Sequence, residues 1–353
     1  MSTSSKRRFG RALGVRLALL AAITATTVVF GPAPAQACGC GAFVGNELLT
    51  ATQETALVQL TGGQETVTMN IVTDTAATDA AFVMPVPSRA TFDLGDPAIF
   101  GELDSASRPK VEYVEVEIDG EGSGDAAPGA GAGDVIVTDR VTLGPYDVAQ
   151  LTGTDATAVG DWLEANGFRL SPELAGGLTP YLADGWSVVA VRLTPQDDTG
   201  FDAGLPPMRV SFATDTPVYP MRLSALADNQ QNLRLYVLAD HRMDVSNPTP
   251  NRDEVSLTFA GWMEPADLNG SPNLIEAITS SGQDRLFLTR YDDTMAPEDI
   301  TADIALTQAP TDETYRATVT ETRYVSRGDT LAGWATIAAI ALPPILIFGL
   351  LAW

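Results

Sequence analysis

The chain has 353 residues, and its 45 acidic side chains outnumber its 21 lysines and arginines, which gives a formal charge of −24. A surface this acidic repels nucleic-acid phosphates, so we expect no nucleic-acid partner. With only two cysteines, the fold is not built on disulfides, and a buried apolar core has to supply the stability.

Residues 1–37 have the order of a cleaved secretory signal peptide. Basic residues come first, an apolar run from Leu17 to Phe30 follows, and Ala35-Gln36-Ala37 closes the segment with an A-x-A pattern. We therefore predict cleavage near Ala37 and export from the cytoplasm. The alternative is an uncleaved membrane anchor, for which the apolar run is short. The basic residues are Lys6, Arg7, Arg8, Arg11 and Arg16.

Cys38 and Cys40 stand at the start of the predicted mature chain, separated by one glycine. In an oxidising compartment we expect a strained Cys38–Cys40 disulfide, or capture by another protein, rather than free thiols. Lipidation of Cys38 is a weaker alternative, because Ala35 occupies the position where bacterial lipidation signals usually place leucine. A metal clip is disfavoured because the sequence shows no partner ligands for it.

Strand patterns dominate the next segment. Two strands flank Gly62-Gly63, which predicts a hairpin with Val67 and Met69 on one face. The prolines of AFVMPVP confine that segment to a sheet edge or a strand end. In VEYVEVEI, residues 111–118, apolar side chains fall on both faces, which requires a bulge or two buried faces.

Residues 119–134 are rich in Gly, Ala and Asp and have no apolar period, so we predict a flexible insertion. Strand character resumes directly afterwards in DVIVTDRVTL. This resumption favours an insertion within a hairpin over a linker between domains. The hairpin would pair VEYVEVEI with DVIVTDRVTL in one sheet.

The clearest helical pattern lies near residues 155–184. Val159, Trp162 and Leu163 share one helix face, and a following Asn-Gly ends that helix. A second helix begins at Ser171, which supplies a cap and is followed by a first-turn proline and an early acid. We expect this helix pair to pack on a sheet.

Most of the later segments are strands, and SPNLIEAI predicts one more short capped helix. The fold class is therefore α+β: a predominantly antiparallel ectodomain spanning residues 38–330, with the helix pair near 155–184. A sub-domain boundary is expected near 245–252. The predicted strands are MRVSFAT, PVYPMRLS, LRLYVLA, VSLTFAGW, RLFLTRY and YRATVTET.

Residues Leu331–Trp353 carry no charge and would form a helix of about 34 Å, long enough to cross a bilayer. Trp334 and Trp353 lie near its ends, where indoles favour the membrane interface. We predict a single transmembrane helix that holds the ectodomain outside the cell membrane. A buried core helix is the alternative.

The stretches ACGCG, FVMPVP, VTLGPYDVAQLTG, YLADGWSVVAVRL, LPPMRVSFATDTPVYPMRLS and LYVLADHRMDV follow one another in an order that resembles the bacterial family catalogued as domain of unknown function 2330. The resemblance spans Cys38 to Asp244. It implies a secreted or membrane-tethered envelope protein. It carries over no catalytic residues, because the family has no established activity.

His241 is the only histidine in the chain, so any histidine-dependent hydrolysis has to use it. Asp240 and Asp244 flank it and are candidate partners in a triad. No G-x-S-x-G elbow accompanies them. A surface or hydrogen-bonded histidine is the more ordinary interpretation.

Two acidic segments offer the oxygen ligands that calcium prefers. One contains Asp197, Asp198 and Asp202, and the other contains Asp292 and Asp293. Neither has EF-hand spacing, and solvated charged loops are the usual meaning of such runs. Apart from calcium we expect no cofactor.

Arg209, Arg222 and Arg234 fall in three predicted strands and could line one sheet face as a site for an anionic ligand or partner. The more ordinary interpretation is that they pair with the surplus acids. From all of these features we expect a membrane-anchored envelope protein that acts as a non-catalytic binding or structural module, with an unknown envelope ligand or protein partner. The alternative is a carboxylate- or calcium-dependent hydrolase of envelope polymers.

Overall fold

The computed structural model describes residues 35–38, 40–45, 51–73, 80–118, 141–143, 146–153, 155–193, 206–246 and 256–326. Within these ranges the chain forms nineteen strands, four α-helices and two short 3₁₀-helices. The mixture confirms the α+β class.

The strands occupy most of the described chain. They are β1 Ala35–Cys38, β2 Gly41–Gly45, β3 Ala51–Thr61, β4 Gln64–Thr73, β5 Ala80–Val86, β6 Ala90–Leu94, β7 Lys110–Ile118, β8 Val141–Leu143, β9 Tyr146–Leu151, β10 Ser187–Leu193, β11 Met208–Ala213, β12 Val218–Tyr219, β13 Gln231–Ala239, β14 Met243–Val245, β15 Ser256–Met263, β16 Leu286–Met295, β17 Ile304–Gln308, β18 Tyr315–Arg316 and β19 Thr318–Ser326. The helices are α1 Ala98–Ser107, α2 Thr157–Ala165, α3 Pro172–Ala183 and α4 Pro272–Thr279, and the 3₁₀-helices are Arg222–Leu226 and Pro297–Asp299.

Two large sheets form the centre of the molecule. The first has the order β1-β2-β5-β10-β9-β8, and the second has the order β18-β15-β16-β13-β3-β4-β11-β6. A three-stranded sheet, β12-β17-β14, and a two-stranded ribbon, β19-β7, complete the described topology. Neighbouring strands are antiparallel except in the pairs β3–β13 and β7–β19.

The alternation of side chains along the strands explains the layering. Phe82 and Val191 from the six-stranded sheet meet Val58 and Val237 from the eight-stranded sheet in one inner core. The opposite face of the six-stranded sheet packs on α2 and α3. The opposite face of the eight-stranded sheet packs on α1 and α4. The order is therefore helix pair, sheet, sheet, helix pair.

Several local predictions are confirmed. Gly62 and Gly63 both have positive φ, as a two-residue hairpin turn between β3 and β4 requires. In the helix pair, Val159 and Leu163 are fully buried. The side chain of Ser171 caps α3 by accepting a hydrogen bond from the Leu174 N–H at 3.1 Å.

Helix α4 begins without a cap from its own first residues. The Ser271 side chain makes no capping hydrogen bond. Instead, the carboxylate of Glu102, on α1, accepts the N–H of Leu274 at 2.8 Å and the side-chain amide of Asn273 at 2.8 Å. The cap expected from the sequence is thus replaced by a carboxylate from a helix that the sequence patterns did not predict.

Two expectations from the sequence were wrong. In PVYPMRLS only Val218–Tyr219 is a strand, and Arg222 begins a 3₁₀-helix. The ribbon strand β7 pairs with β19 without a register shift, its described side chains at 110–114 are exposed on both faces, and β8 pairs with β9. Strand β13 pairs with both β3 and β16, so one sheet holds strands from both sides of residues 245–252, and the sub-domain boundary near those residues stays a prediction.

Some predictions fall on residues outside those described. They include the insertion at 119–134 and the segment Leu331–Trp353, and most of the signal peptide, whose predicted cleavage site lies at β1. In the part of the chain that the structure does describe, no helix is long and apolar enough to span a bilayer.

Two carboxyl groups lie inside the inner core. Glu54 accepts the backbone N–H of Cys40, and Oε2 of Glu65 accepts the N–H of Val218 at 3.0 Å. Burial raises the pKa of Glu54 to about 7, although hydrogen bonds from Cys40 oppose the rise. Burial likewise raises the pKa of Glu65 to about 8. Each group therefore holds its proton over a range in which an exposed carboxyl is ionised.

Replacing Gly41 by alanine should destabilise the protein by about 1–3 kcal/mol. A Cβ at this position would collide with the ring of Phe82 and the carbonyl oxygen of Val83. The matched control is Gly176→Ala in α3, where a Cβ meets nothing within 4 Å. This variant should raise the free energy of unfolding by about 0.5–1 kcal/mol. Urea unfolding measures both, and equal stabilities of the two variants would contradict the packing argument.

The stability of the wild-type protein should fall as the pH rises from about 5 to about 8. The folded chain keeps the Glu65 proton up to about pH 8, whereas the unfolded chain loses it near 4.5. Over that interval, each group of this kind lowers the free energy of unfolding by about 1.4 kcal/mol per pH unit. The free energy of unfolding of Glu65→Gln, measured with urea across this range, should fall less steeply with pH than that of the wild type, by about 1.4 kcal/mol per pH unit. An unchanged slope would mean that Glu65 is ionised in the folded chain.

Candidate interaction surface

The ribbon formed by β7 and β19 stands apart from the three cores. Its two strands run parallel through nine residue pairs, from Lys110 opposite Thr318 to Ile118 opposite Ser326. At roughly 3.3 Å per residue it is about 30 Å long. All of its described side chains, at positions 110–114 and 318–321, are exposed.

Apolar side chains on the ribbon are open to solvent. Tyr113 is 62% exposed, Val114 50% and Val319 46%. Val111 lies opposite Val319, and Tyr113 follows on the same face, whereas Val114 lies on the other. Exposed apolar side chains grouped in this way mark surfaces that bind other molecules. Among the described strands, β7 and β19 have no further neighbours, which leaves backbone groups along both outer edges of the ribbon open to pairing.

The base of the ribbon is fixed to the eight-stranded sheet. The Ala317 N–H donates to the carbonyl of Thr258 at 2.8 Å, and the Lys110 N–H donates to the carbonyl of Ala317 at 2.8 Å. The guanidinium of Arg316 lies 4.5 Å from the ring centroid of Phe259 and donates to the Ala106 carbonyl at the end of α1. The ribbon is therefore held at one end, while its faces remain open.

His241 does not form the predicted triad. Its Nδ1 lies 3.0 Å from a carboxylate oxygen of Asp312. Asp244 accepts instead from Nε of Arg242 at 2.9 Å, and Asp240 is exposed. Hydrogen bonds from His241 and from the Arg242 N–H hold the pKa of Asp312 below its ordinary value. The pair joins two surface loops.

Arg222 lies in a group of polar contacts around the Asp303 carboxylate rather than on a sheet face. Oδ1 of Asp303 accepts the backbone N–H groups of Met221 and Arg222 at 2.7 and 2.9 Å, and Oδ2 accepts Nε of Arg222 at 2.9 Å. The hydroxyl of Tyr181 also donates to Asp303, and the guanidinium lies 4.1 Å from the Tyr181 ring centroid. Burial, followed by the Asp303 charge, raises the pKa of Tyr181. The cluster ties α3 to the 3₁₀-helix.

Arg234 belongs to a second internal network. Its Nε donates to Asp292 at 2.6 Å, and Arg290, which is 4% exposed, donates to Asp292 at 2.6 Å and to Asp104 of α1 at 3.1 Å. Burial alone would raise the pKa of Asp292, but hydrogen bonds from Arg290 and Arg234 outweigh it and lower that pKa. The network fastens α1 to the sheet.

The three predicted arginines therefore do not form one site. Arg209 and Arg234 alternate with inward-facing residues and lie on the same outer sheet face, but β3 and β4 separate their strands by about 14 Å. Nε of Arg209 is buried with no hydrogen-bond partner among the described residues. Arg222 and Arg234 pair with acids of their own chain, in line with the more ordinary interpretation.

The calcium candidates do not converge in the described structure. Asp292 and Asp293 are consecutive residues of β16 and so point to opposite faces. Asp197, Asp198 and Asp202 lie outside the described residues. Within the described ranges, no three histidine, cysteine or acidic side chains are grouped as metal ligands.

Sequence inspection missed the groupings around Cys40 and Glu65. Cys40 lies against Glu54 and Met69, which are distant in sequence. Glu65 precedes Val67 by two positions, so the strand period placed it on the buried face. That period was the available signal for Glu65. Nothing local in the sequence marked the surroundings of Cys40.

Arg290→Met should destabilise the protein by about 2 kcal/mol, because the nearly buried guanidinium bonds Asp292, Asp104 and Ser107, and its loss leaves two partly buried carboxylates with fewer partners. Arg234→Met is the matched comparison in the same network and should cost about 1 kcal/mol or less. The Arg234 side chain is 29% exposed and is screened by water. Urea unfolding measures both losses, and equal losses would contradict the difference in burial.

Residues 34–307 match the family described as an uncharacterized protein conserved in bacteria, DUF2330. The match extends beyond the stretches that first suggested the family. No curated protein matches the chain. The crystal structure of baculovirus P35 is similar at 8% identity with a TM-score of 0.36, over 74% of this chain and 98% of P35. Because the family match covers more than half of its length, this chain belongs to the bacterial DUF2330 family.

Proposed function

We propose that this protein is a membrane-tethered, non-catalytic binding module of the bacterial cell envelope, and that the β7–β19 ribbon is its binding element. The observation that carries the proposal is the exposure of Val111, Tyr113, Val114 and Val319 on a chain whose formal charge is −24. Apolar surface left open on an otherwise highly charged protein favours contact with another molecule.

The position of the ribbon in the chain supports this role. Strand β19 ends at Ser326, and residues 327–330 separate it from the apolar segment Leu331–Trp353. Five extended residue steps span at most about 17 Å. If that segment crosses the membrane, the far end of the ribbon lies next to the bilayer and its base lies farther out.

The chemistry of the ribbon favours a protein partner. No other described strand covers the outer edges of the ribbon, so they can pair with an extended strand of a partner, and the side chains on its two faces then select that partner. Tyr113 adds an aromatic surface with a polar hydroxyl, a combination that is common at protein interfaces. The acidic residues Glu112 and Glu321 beside it disfavour an anionic partner.

The full chain, expressed in a bacterium, should sediment with membranes and should be cleaved by protease added outside the inner membrane. A chain lacking residues 331–353 should be released in soluble form. A photo-crosslinking residue at Tyr113 or Val319 should give a protein adduct in the membrane fraction. The same residue at Gln283, an exposed position away from the ribbon, is the control.

The two measurements test different parts of the proposal. Soluble full-length chain would remove the membrane tether. Adducts that are as frequent at Gln283 as at Tyr113 would remove the ribbon as the binding element, even if the chain is membrane-bound.

A further inference from the structure

The N-terminal hairpin places Cys40 against two other donor groups. The Cys40 thiol donates to the thioether of Met69, with Sγ and Sδ 2.7 Å apart. The Cys40 N–H lies 3.0 and 3.2 Å from the two carboxyl oxygens of Glu54. Cys40 and Met69 are each 1% exposed, and Glu54 is 7% exposed. A thiol, a thioether and a carboxyl group thus meet at one buried point.

A second thioether adjoins the first. Met208, on β11, is the direct cross-strand partner of Met69, on β4. Both side chains belong to the inner core, so they face the same side of the sheet. Residues directly opposite in an antiparallel pair have Cβ atoms about 4.5–5.5 Å apart. Met208 therefore places its sulfur within reach of the same region.

This donor set selects a particular class of metal. Thiolate and thioether ligands are soft and favour Cu(I) over the hard cations that carboxylates and water bind. Calcium or magnesium would find one carboxyl group here and sulfur for the rest. The sequence alone shows no partners for a metal at Cys40, and the fold brings them from β3, β4 and β11.

We propose that Cys40 and Met69 bind one Cu(I) ion in the inner core, with Met208 as a further thioether ligand and Glu54 as the neighbouring proton acceptor. Copper binding forms the Sγ–Cu bond and releases the thiol proton. The carboxylate of Glu54 takes up that proton. The Cu⁺ charge and the thiolate charge cancel, so the apolar core gains no net charge.

Two features of the site fit this chemistry. Burial raises the pKa of Glu54 to about 7, so the group takes up a proton readily near neutral pH. The hairpin that carries Cys40 forms one edge of the six-stranded sheet. An ion can therefore reach Cys40 by a displacement of this edge, without opening the centre of the sandwich.

The test uses the full chain in detergent, reduced with dithiothreitol and desalted without oxygen. The protein is titrated against the coloured Cu(I)–bicinchoninate complex, and the loss of colour reports transferred copper. We expect one Cu(I) per chain. Cys40→Ser and Met69→Leu should each weaken binding by about 10–100-fold. Reduction is needed because a Cys38–Cys40 disulfide would consume the thiol.

Met69→Leu keeps the side-chain volume, so it separates loss of a ligand from loss of the fold. Met263→Leu is the matched control, because Met263 lies in the core on the opposite face of the eight-stranded sheet. Its copper affinity should equal that of the wild type. The proposal is overturned if the reduced wild type takes no copper from the complex. It is also overturned if Met69→Leu or Cys40→Ser binds copper as tightly as Met263→Leu.

Discussion

The eight-stranded sheet depends on one junction, the parallel pairing of β3 with β13. On one side lie β6, β11, β4 and β3, and on the other lie β13, β16, β15 and β18. A tight turn cannot join parallel neighbours, so the shared side chains have to stabilise this contact. Val58 faces Val237 in the inner core, and Leu57 lies beside Tyr236 on the other face. Both the inner core and the α1–α4 core are complete only when this junction has formed.

The buried carboxyl groups show that the inner core does more than bury apolar surface. Glu54 and Glu65 lie towards opposite ends of the β3–β4 hairpin. Each accepts a backbone N–H from a segment outside the eight-stranded sheet, Cys40 in the first case and Val218 in the second. A carboxyl group in an apolar core costs stability. These two groups hold the N-terminal hairpin and β12 in place against the sheet at that cost, and Glu54 brings Cys40 to Met69.

The charged residues are organised so that many arginines are satisfied within the chain. Arg222 pairs with Asp303, and Arg234 and Arg290 share Asp292 and Asp104. Acids outnumber bases about two to one, so the remaining surface is acidic and repels anionic molecules. The ribbon differs from that surface because its exposed side chains include valines and a tyrosine. A partner that tolerates the acidic surroundings therefore finds apolar contact there.

The sequence by itself determined the elements whose causes are local. The Gly62-Gly63 turn, the helix pair and the inward face of β4 follow from residues within a few positions of each other. The tertiary structure alone decided which strands are neighbours, because β3 and β13 are separated by about half of the chain. It also decided that Asp312 holds His241, that Glu102 caps α4 and that Met69 meets Cys40. These contacts depend on distance in space, and the period of a strand fixes which face a side chain occupies but not which group it meets there.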